Sequence, residues 1–159
     1  MICIDLEASG LAHESYPIEI AWKCTDTGDS DSFLINPDSV PEWQYWDEFA
    51  EELHGIEPEL LQQEGISADQ ACLRLNRALK GREVISDAFE YDGFWLRRLF
   101  EACGMQPSFH LVGLEAVLSA EERIQYQFIA RSQFRRHRAL QDVEDLISAI
   151  TAARSGVVN

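Results

Sequence analysis

Ile2-Cys3-Ile4-Asp5-Leu6-Glu7-Ala8-Ser9-Gly10 opens the chain, and the fold turns on how this stretch is read. An apolar run that enters two carboxylates and then a Ser-Gly turn predicts a buried strand ending in charged residues. Side chains alternate across a strand, so Asp5 and Glu7 project to the same side. Two acids crowded on one face repel and raise each other's pKa unless a cation lies between them. The simplest such cation is a hard divalent metal held by oxygen ligands. An isolated Asp-x-Glu is more often a strand end with solvated carboxylates, so the case for chemistry depends on further ligands downstream.

Working outward, Tyr16 to Cys24 alternates with Ile18, Ile20 and Trp22 on one face, a half-buried strand by period. Asp26-Thr27-Gly28-Asp29 is a turn, and Ser32 to Ile35 is a third strand closed by Asn36-Pro37. Short connections make these three strands antiparallel neighbours. Val40 to Gly55 carries Trp43, Tyr45, Trp46 and Phe49 among many acids. It reads as a loop and a short helix ending near His54-Gly55, with its aromatics in the core as the first expectation and a substrate platform or interface as alternatives.

From Glu57 the pattern turns helical through Leu60-Leu61, breaks at Gly65, and resumes after Ser67 as N-cap with Ala71, Leu75 and Leu79. Gly81 ends that helix. Glu83 to Ser86 is a strand stopping at Asp87, and Tyr91, Trp95 and Leu99 mark a helix closed by Gly104. Phe109 to Val112 predicts another strand, Leu114 to Leu118 a short helix, and Glu121 to Ile129 a further helical stretch. His137 leads into a last helix with Leu140, Val143, Ile147 and Ile150 on one stripe. A meander followed by strands alternating with helices predicts an α/β fold: a mixed sheet, an antiparallel three-strand meander plus parallel strands, flanked by helices in one domain spanning 1–159.

The 159 residues suffice for an ordinary core, and 46% hydrophobic content with 10% aromatics argues for a folded globule. No run has the length of a membrane span, and no basic and apolar leader pattern opens the chain, so a cytoplasmic protein with no membrane partner is expected. Cys3, Cys24, Cys72 and Cys103 are scattered without a Cys-x-x-Cys pair, which points to reduced thiols rather than zinc ligands or disulfides. The formal charge of −15 opposes a long, sequence-independent grip on duplex nucleic acid, since such affinity comes from Lys and Arg on phosphates. It suits a site that gathers carboxylates for metals.

Asp92 falls in the first turn of the helix after the Glu83 to Ser86 strand. Helix-dipole stabilisation alone would explain an acid there, but the same position is the sheet rim where α/β folds bind ligands. His137 and Asp142 are five residues apart, about 140° on a regular helix. With His137 in the preceding loop and Asp142 in the first turns, both can face the end of the first strand.

Asp5-x-Glu7, Tyr91-Asp92 and His137-x4-Asp142, in this order, resemble the three exonuclease motifs of the DnaQ-like superfamily of 3′-5′ exonucleases, in the DEDDh branch that uses histidine. The resemblance runs from about Ile2 to Ile150, and His54-Gly55-Ile56 resembles an element common between the first two motifs. The family usually has an Asn shortly before the Tyr/Phe-Asp pair. Here Asp87 or Ala88 holds that position, which removes the Asn contact and leaves the metal acid in place.

This resemblance implies an RNase H-like fold and two-metal hydrolysis of single-stranded or short RNA or DNA, with Mg²⁺ or Mn²⁺ as the two cofactors. It implies that Asp5 bridges both ions, that Glu7 and Asp142 complete the first and Asp92 holds the second, and that His137 is the general base. It also brings the backbone of Ala8, Ser9 and Gly10 to the terminal nucleotide, with His54 nearby, and makes Leu11 an apolar wedge between bases; a core residue after a turn is the other reading of Leu11. Arg131, Arg135, Arg136 and Arg138 are the main basic concentration, expected to meet phosphates in part or to form a solvated helix face. RNA is favoured slightly over DNA, as in the oligoribonuclease and RNase T types, which suggest a homodimer with Trp43 to Trp46 as a contact. The competing expectations are a catalytically silent binding module of the same fold and an endonuclease of the wider RNase H-like group.

Overall fold

Residues 1–156 are described by a computed structural model. Five strands, β1 (Ile2–Ala8), β2 (Pro17–Cys24), β3 (Ser30–Leu34), β4 (Glu83–Ile85) and β5 (His110–Val112), form one sheet in the order β3-β2-β1-β4-β5. β1 pairs antiparallel with β2 and parallel with β4, while β2–β3 is antiparallel and β4–β5 parallel. This is the expected mixed, RNase H-like α/β arrangement. The helices are α1 (Glu48–His54), α2 (Pro58–Glu64), α3 (Ala68–Leu79), α4 (Phe89–Cys103), α5 (Ala120–Ser132) and α6 (Ala139–Ser155).

Local chemistry sets the boundaries. Ser67 closes a reciprocal capping box with Gln70 at the start of α3, and Ser119 does the same with Glu122 at α5. Gly55, Gly104 and Gly156 stop α1, α4 and α6 in the left-handed conformation. Two expected spans shift: β3 begins at Ser30 rather than Ser32, because pairing with β2 extends to Lys23, and the Leu114 to Leu118 helix is a three-residue 3₁₀ turn, Leu114–Ala116.

Period-two alternation divides the β1 side chains between two layers. Ile2, Ile4 and Leu6 join Ile18, Ile20 and Trp22 against α3 and α4, in a core that includes Leu75, Leu79, Leu99 and Phe100. Cys3 faces the opposite layer with Ala21, under α6 residues Val143, Leu146, Ala149 and Ile150. Small side chains on both surfaces let α6 approach β1 and β2 closely. Asp5 and Glu7 follow Cys3 on this side.

Two helical stripes differ from the simple apolar reading. In α6 the buried face is Ala139, Asp142, Val143, Leu146, Ala149, Ile150 and Ala153, with Leu140 and Ile147 only partly buried. Close packing on the sheet selects the alanines, so the stripe is rotated and takes Asp142 inside. In α4 the buried face is Asp92, Trp95, Leu96, Leu99 and Phe100, while Tyr91 is half-exposed and packs its ring on Trp95.

The Val40 to Gly55 aromatics mainly fill the core, as first expected. Trp43 is buried and stacks on Tyr16 with ring centres 5.2 Å apart, and Trp46 packs on the core and donates to Glu51 at 2.8 Å. Trp43 is therefore not available as a dimer contact, because its surface is already covered. Phe49 alone of the four is exposed. Among the described residues no helix is long and apolar enough to cross a membrane.

Candidate active site

Because β1 and β4 run parallel, their carboxyl ends reach the same rim of the sheet. Asp5 and Glu7 arrive there on β1, and the pairing register with β2 slips between Glu7 and Ala8. Such a bulge re-aims the side chains beside it. Ser86 and Asp87 follow β4, and α4 starts at Phe89. The Ser86 hydroxyl donates to Asp92 Oδ2 at 2.5 Å and accepts from the Ala88 amide at 3.0 Å, which locks the turn to the buried acid.

The acids gather as two groups. Oxygens of Asp5, Asp87 and Asp92 lie within 4.8 Å of one another, and ligand atoms of Glu7, His137 and Asp142 lie within the same distance of one another. Asp5, Asp92 and Asp142 are all buried. Desolvation first, then the charges of Asp92, Glu7 and Asp142, hold the Asp5 carboxyl well above the ordinary range. Desolvation and a hydrogen bond with Asp142 push Glu7 up to about 9. Asp92 rises to about 7, again chiefly from burial, against the opposing hydrogen bond from Ser86.

Arg135 partly offsets this crowding: its guanidinium is 3.7 Å from Asp5 Oδ1 and 3.4 Å from Asp142 Oδ2. Asp5 Oδ2, Glu7 Oε1 and Asp142 Oδ1 are buried and no N–H or hydroxyl donor reaches them. A buried carboxylate oxygen with no donor is costly unless something positive completes it. Oxygen donors of this kind fit hard divalent cations such as Mg²⁺ or Mn²⁺.

His137 stands in the loop before α6, with Asp142 in the first turn of that helix. At φ 57° it is the one non-glycine with positive φ among the described residues, a local strain that surrounding contacts must sustain. Glu19 on β2 supplies such a contact. Buried, it accepts a forked pair from Arg138, at 3.1 and 2.7 Å, and also the Ala139 amide at 2.8 Å. It thereby caps α6 and pins the loop to the sheet.

Glu19 escaped the sequence analysis, although a charged residue inside an otherwise apolar strand was its signal. The same contacts give Arg138 a role the sequence did not suggest, since its Nε and Nη2 hold Glu19 on a side chain still 42% exposed. Arg135 is likewise paired within the acid group. Arg131 and Arg136 are exposed and enter no ion pair among the described residues.

Asp5, Glu7 and Asp92 open onto a cleft of about 260 Å³ lined also by Ala8, Gly10, Leu11, His54, Tyr91 and Trp95. Leu11 is 71% exposed at its lip, which removes the core reading of this residue. Ser9 is fully buried, with its amide on the Tyr16 carbonyl, its carbonyl accepting from Asp47 and its hydroxyl accepting from Tyr16. All three groups hold the turn, so within the Ala8 to Gly10 backbone expected to meet the terminal nucleotide Ser9 is engaged internally.

Gly10 is required by space: a Cβ there would lie 2.8 Å from the Tyr45 ring and 3.0 Å from Asp47 Cβ. His54 accepts the Ile56 amide at Nδ1, so in the neutral ring the buried Nε2 carries the proton. Burial keeps the ring's pKa below its usual value.

No family model matches the chain, and no curated protein matches it in sequence. Solved structures do match its fold. The zinc-bound form of an E. coli exonuclease I complex with single-stranded DNA aligns over 98% of this chain with TM-score 0.73 and 14% identity, covering 41% of the longer protein. The metal-free form of that complex aligns over 96% with TM-score 0.70 and 15% identity, covering 39%. A complex with a dT13 oligonucleotide aligns over 98% with TM-score 0.71 and 14% identity, covering 41%. The chain therefore spans about two fifths of the length of these structures, and at such identity the likeness is one of fold.

Proposed function

We propose that this chain is a metal-dependent 3′-5′ exonuclease of the DnaQ-like superfamily, DEDDh branch, acting on single-stranded or short nucleic acid. The observation that carries this reading is the convergence of Asp5, Glu7, Asp92, Asp142 and His137 at one end of β1, with three buried carboxylate oxygens that no N–H or hydroxyl donor reaches. A module that only bound nucleic acid would have no use for crowded carboxylates, which repel phosphate. The fold shared with exonuclease I, itself seen with single-stranded DNA, supports the same reading.

Asp5 would bridge two cation positions, Glu7 and Asp142 would complete one, and Asp92 the other. Two divalent ions, Mg²⁺ or Mn²⁺, would supply Lewis-acid polarisation and neutralise charge during in-line displacement. His137 accepts the proton of the attacking water. The water oxygen bonds to phosphorus, the bond from phosphorus to the 3′ oxygen of the preceding nucleotide breaks, and that oxygen takes a proton. A nucleoside 5′-monophosphate leaves, and the strand is one residue shorter. Leu11 at the cleft lip and His54 in the cleft lining would meet the terminal nucleotide. The acidic surface favours short single-stranded ends over duplex, with RNA expected ahead of DNA.

The test is an end-labelled oligonucleotide assay with RNA and DNA of several lengths, in Mg²⁺, Mn²⁺ or chelator, for wild type and Asp5→Ala. Stepwise metal-dependent loss from the 3′ end is expected, falling about a thousandfold or more in Asp5→Ala, as losing several kcal/mol of transition-state stabilisation requires. Internal fragments would indicate an endonuclease, and retained binding without any cleavage a silent module.

A further inference from the structure

Asp87 lies outside the four acids that the sequence motifs single out, yet its carboxylate stands within 4.8 Å of those of Asp5 and Asp92. The backbone around it is fixed on both sides: the Ser86 amide donates to the Val112 carbonyl at 3.0 Å, and the Ser86 hydroxyl holds both Asp92 and the Ala88 amide. The Asp87 side chain is fixed as well, since Oδ2 accepts the hydroxyl of buried Tyr126 at 3.1 Å. An unconstrained surface aspartate would swing away from two neighbouring acids; this one is held beside them.

A second observation points to what the group receives. Asp5 Oδ2 is buried, on a residue only 2% exposed, and has no hydrogen-bond partner. The nearby guanidinium, that of Arg135, approaches the other oxygen, Oδ1. Three carboxylates from β1, the β4–α4 turn and α4 thus stand together, and one buried oxygen among them, Asp5 Oδ2, lacks a donor.

We propose that Asp87 is a fifth carboxylate of the metal site, completing with Asp5 and Asp92 the cation position that the sequence motifs assign to Asp92 alone beside the bridging Asp5. The assignment rests on the nuclease reading above and names an additional cation-binding residue within it. Three anionic oxygens bind a hard divalent ion more tightly than two, and Tyr126 is the positioning residue that keeps the third in place.

The test is Mn²⁺ binding to the full chain, without nucleic acid, by titration calorimetry and by electron paramagnetic resonance of free Mn²⁺. Asp92→Asn identifies the relevant ion by weakening it. Asp87→Asn, whose amide oxygen can still accept from Tyr126, is expected to weaken that same ion about tenfold or more with an unchanged melting temperature. Tyr126→Phe keeps the charge and is expected to weaken it less. Mn²⁺ uptake that responds to Asp92→Asn but not to Asp87→Asn would overturn this assignment and leave the nuclease reading standing. No Mn²⁺ uptake by the wild type would overturn both.

Discussion

Asp5, Glu7 and Asp92 stand on elements fixed from several directions, whereas His137 and Arg135 stand on a segment fastened mainly at its far end. β1 is paired on both edges, and α4 is anchored by its buried stripe and by the Ser86 hydroxyl. The loop before α6 relies on Glu19, which binds Arg138 and the Ala139 amide, and on the contacts of Arg135 with the acids themselves. The difference separates two tasks. The proposed cation ligands require a rigid frame to hold like charges together; the proposed base requires a defined but separable position beside them.

Removing the loop's base should test the separation most sharply. His137→Ala is expected to lower kcat about 10²- to 10⁴-fold, the usual worth of a general base, while leaving Mn²⁺ affinity nearly unchanged. A comparable loss of Mn²⁺ binding would show that His137 serves as a ligand, and the two halves would no longer be distinct. Loosening the anchor should act more mildly. Glu19→Gln weakens the ion pair with Arg138 and the cap on Ala139, and about a tenfold to hundredfold loss in kcat is expected from misplacing the base. Substituting Arg136, exposed in the same loop and outside the acid group, should spare kcat and flatten the salt dependence of KM.

The smallest expected effect is on stability, and it reports the rigid half. The Glu7 carboxyl is raised from 4.5 to about 9 and that of Asp92 from 3.8 to about 7. The folded chain therefore holds protons that the unfolded chain releases, so this contribution is fully present below about pH 4 and disappears as pH rises through 7 and then 9. In chelator, Tm should fall between pH 5 and 9, by about 2–4 °C for each kcal/mol, and Glu7→Gln should flatten the decline. Divalent cations should restore the loss at pH 8. An identical pH profile in wild type and Glu7→Gln would show that Glu7 is not strained by its neighbours.

Much of the frame was legible because it follows from short-range rules. Alternation in β1, the capping serines and the glycine stops required only neighbouring residues. The placement of His137 in a loop and Asp142 in the first turn followed from the angle that five helical residues subtend. The buried stripes were less legible. Counting large apolar residues selected Tyr91 and Leu140, whereas packing on the sheet selected Asp92 and Asp142 with alanines and leucines at spacings of three and four. An acid in phase with a buried stripe was the available sign, and it is visible only once alanine is counted as an interior residue.

By itself the sequence determined the meander and the parallel additions and singled out the four acids and the histidine proposed to form the site, because each is marked by period or by motif within a few residues. Only the tertiary structure decided that Glu19 holds the loop, that Arg138 pairs with it and that Asp87 joins Asp5 and Asp92. Each of those depends on which side chains meet across distant segments, 119 residues apart for Glu19 and Arg138. Local propensity carries no record of such meetings; they arise when the sheet brings the ends of β1, β2 and β4 to one rim and α6 closes over it.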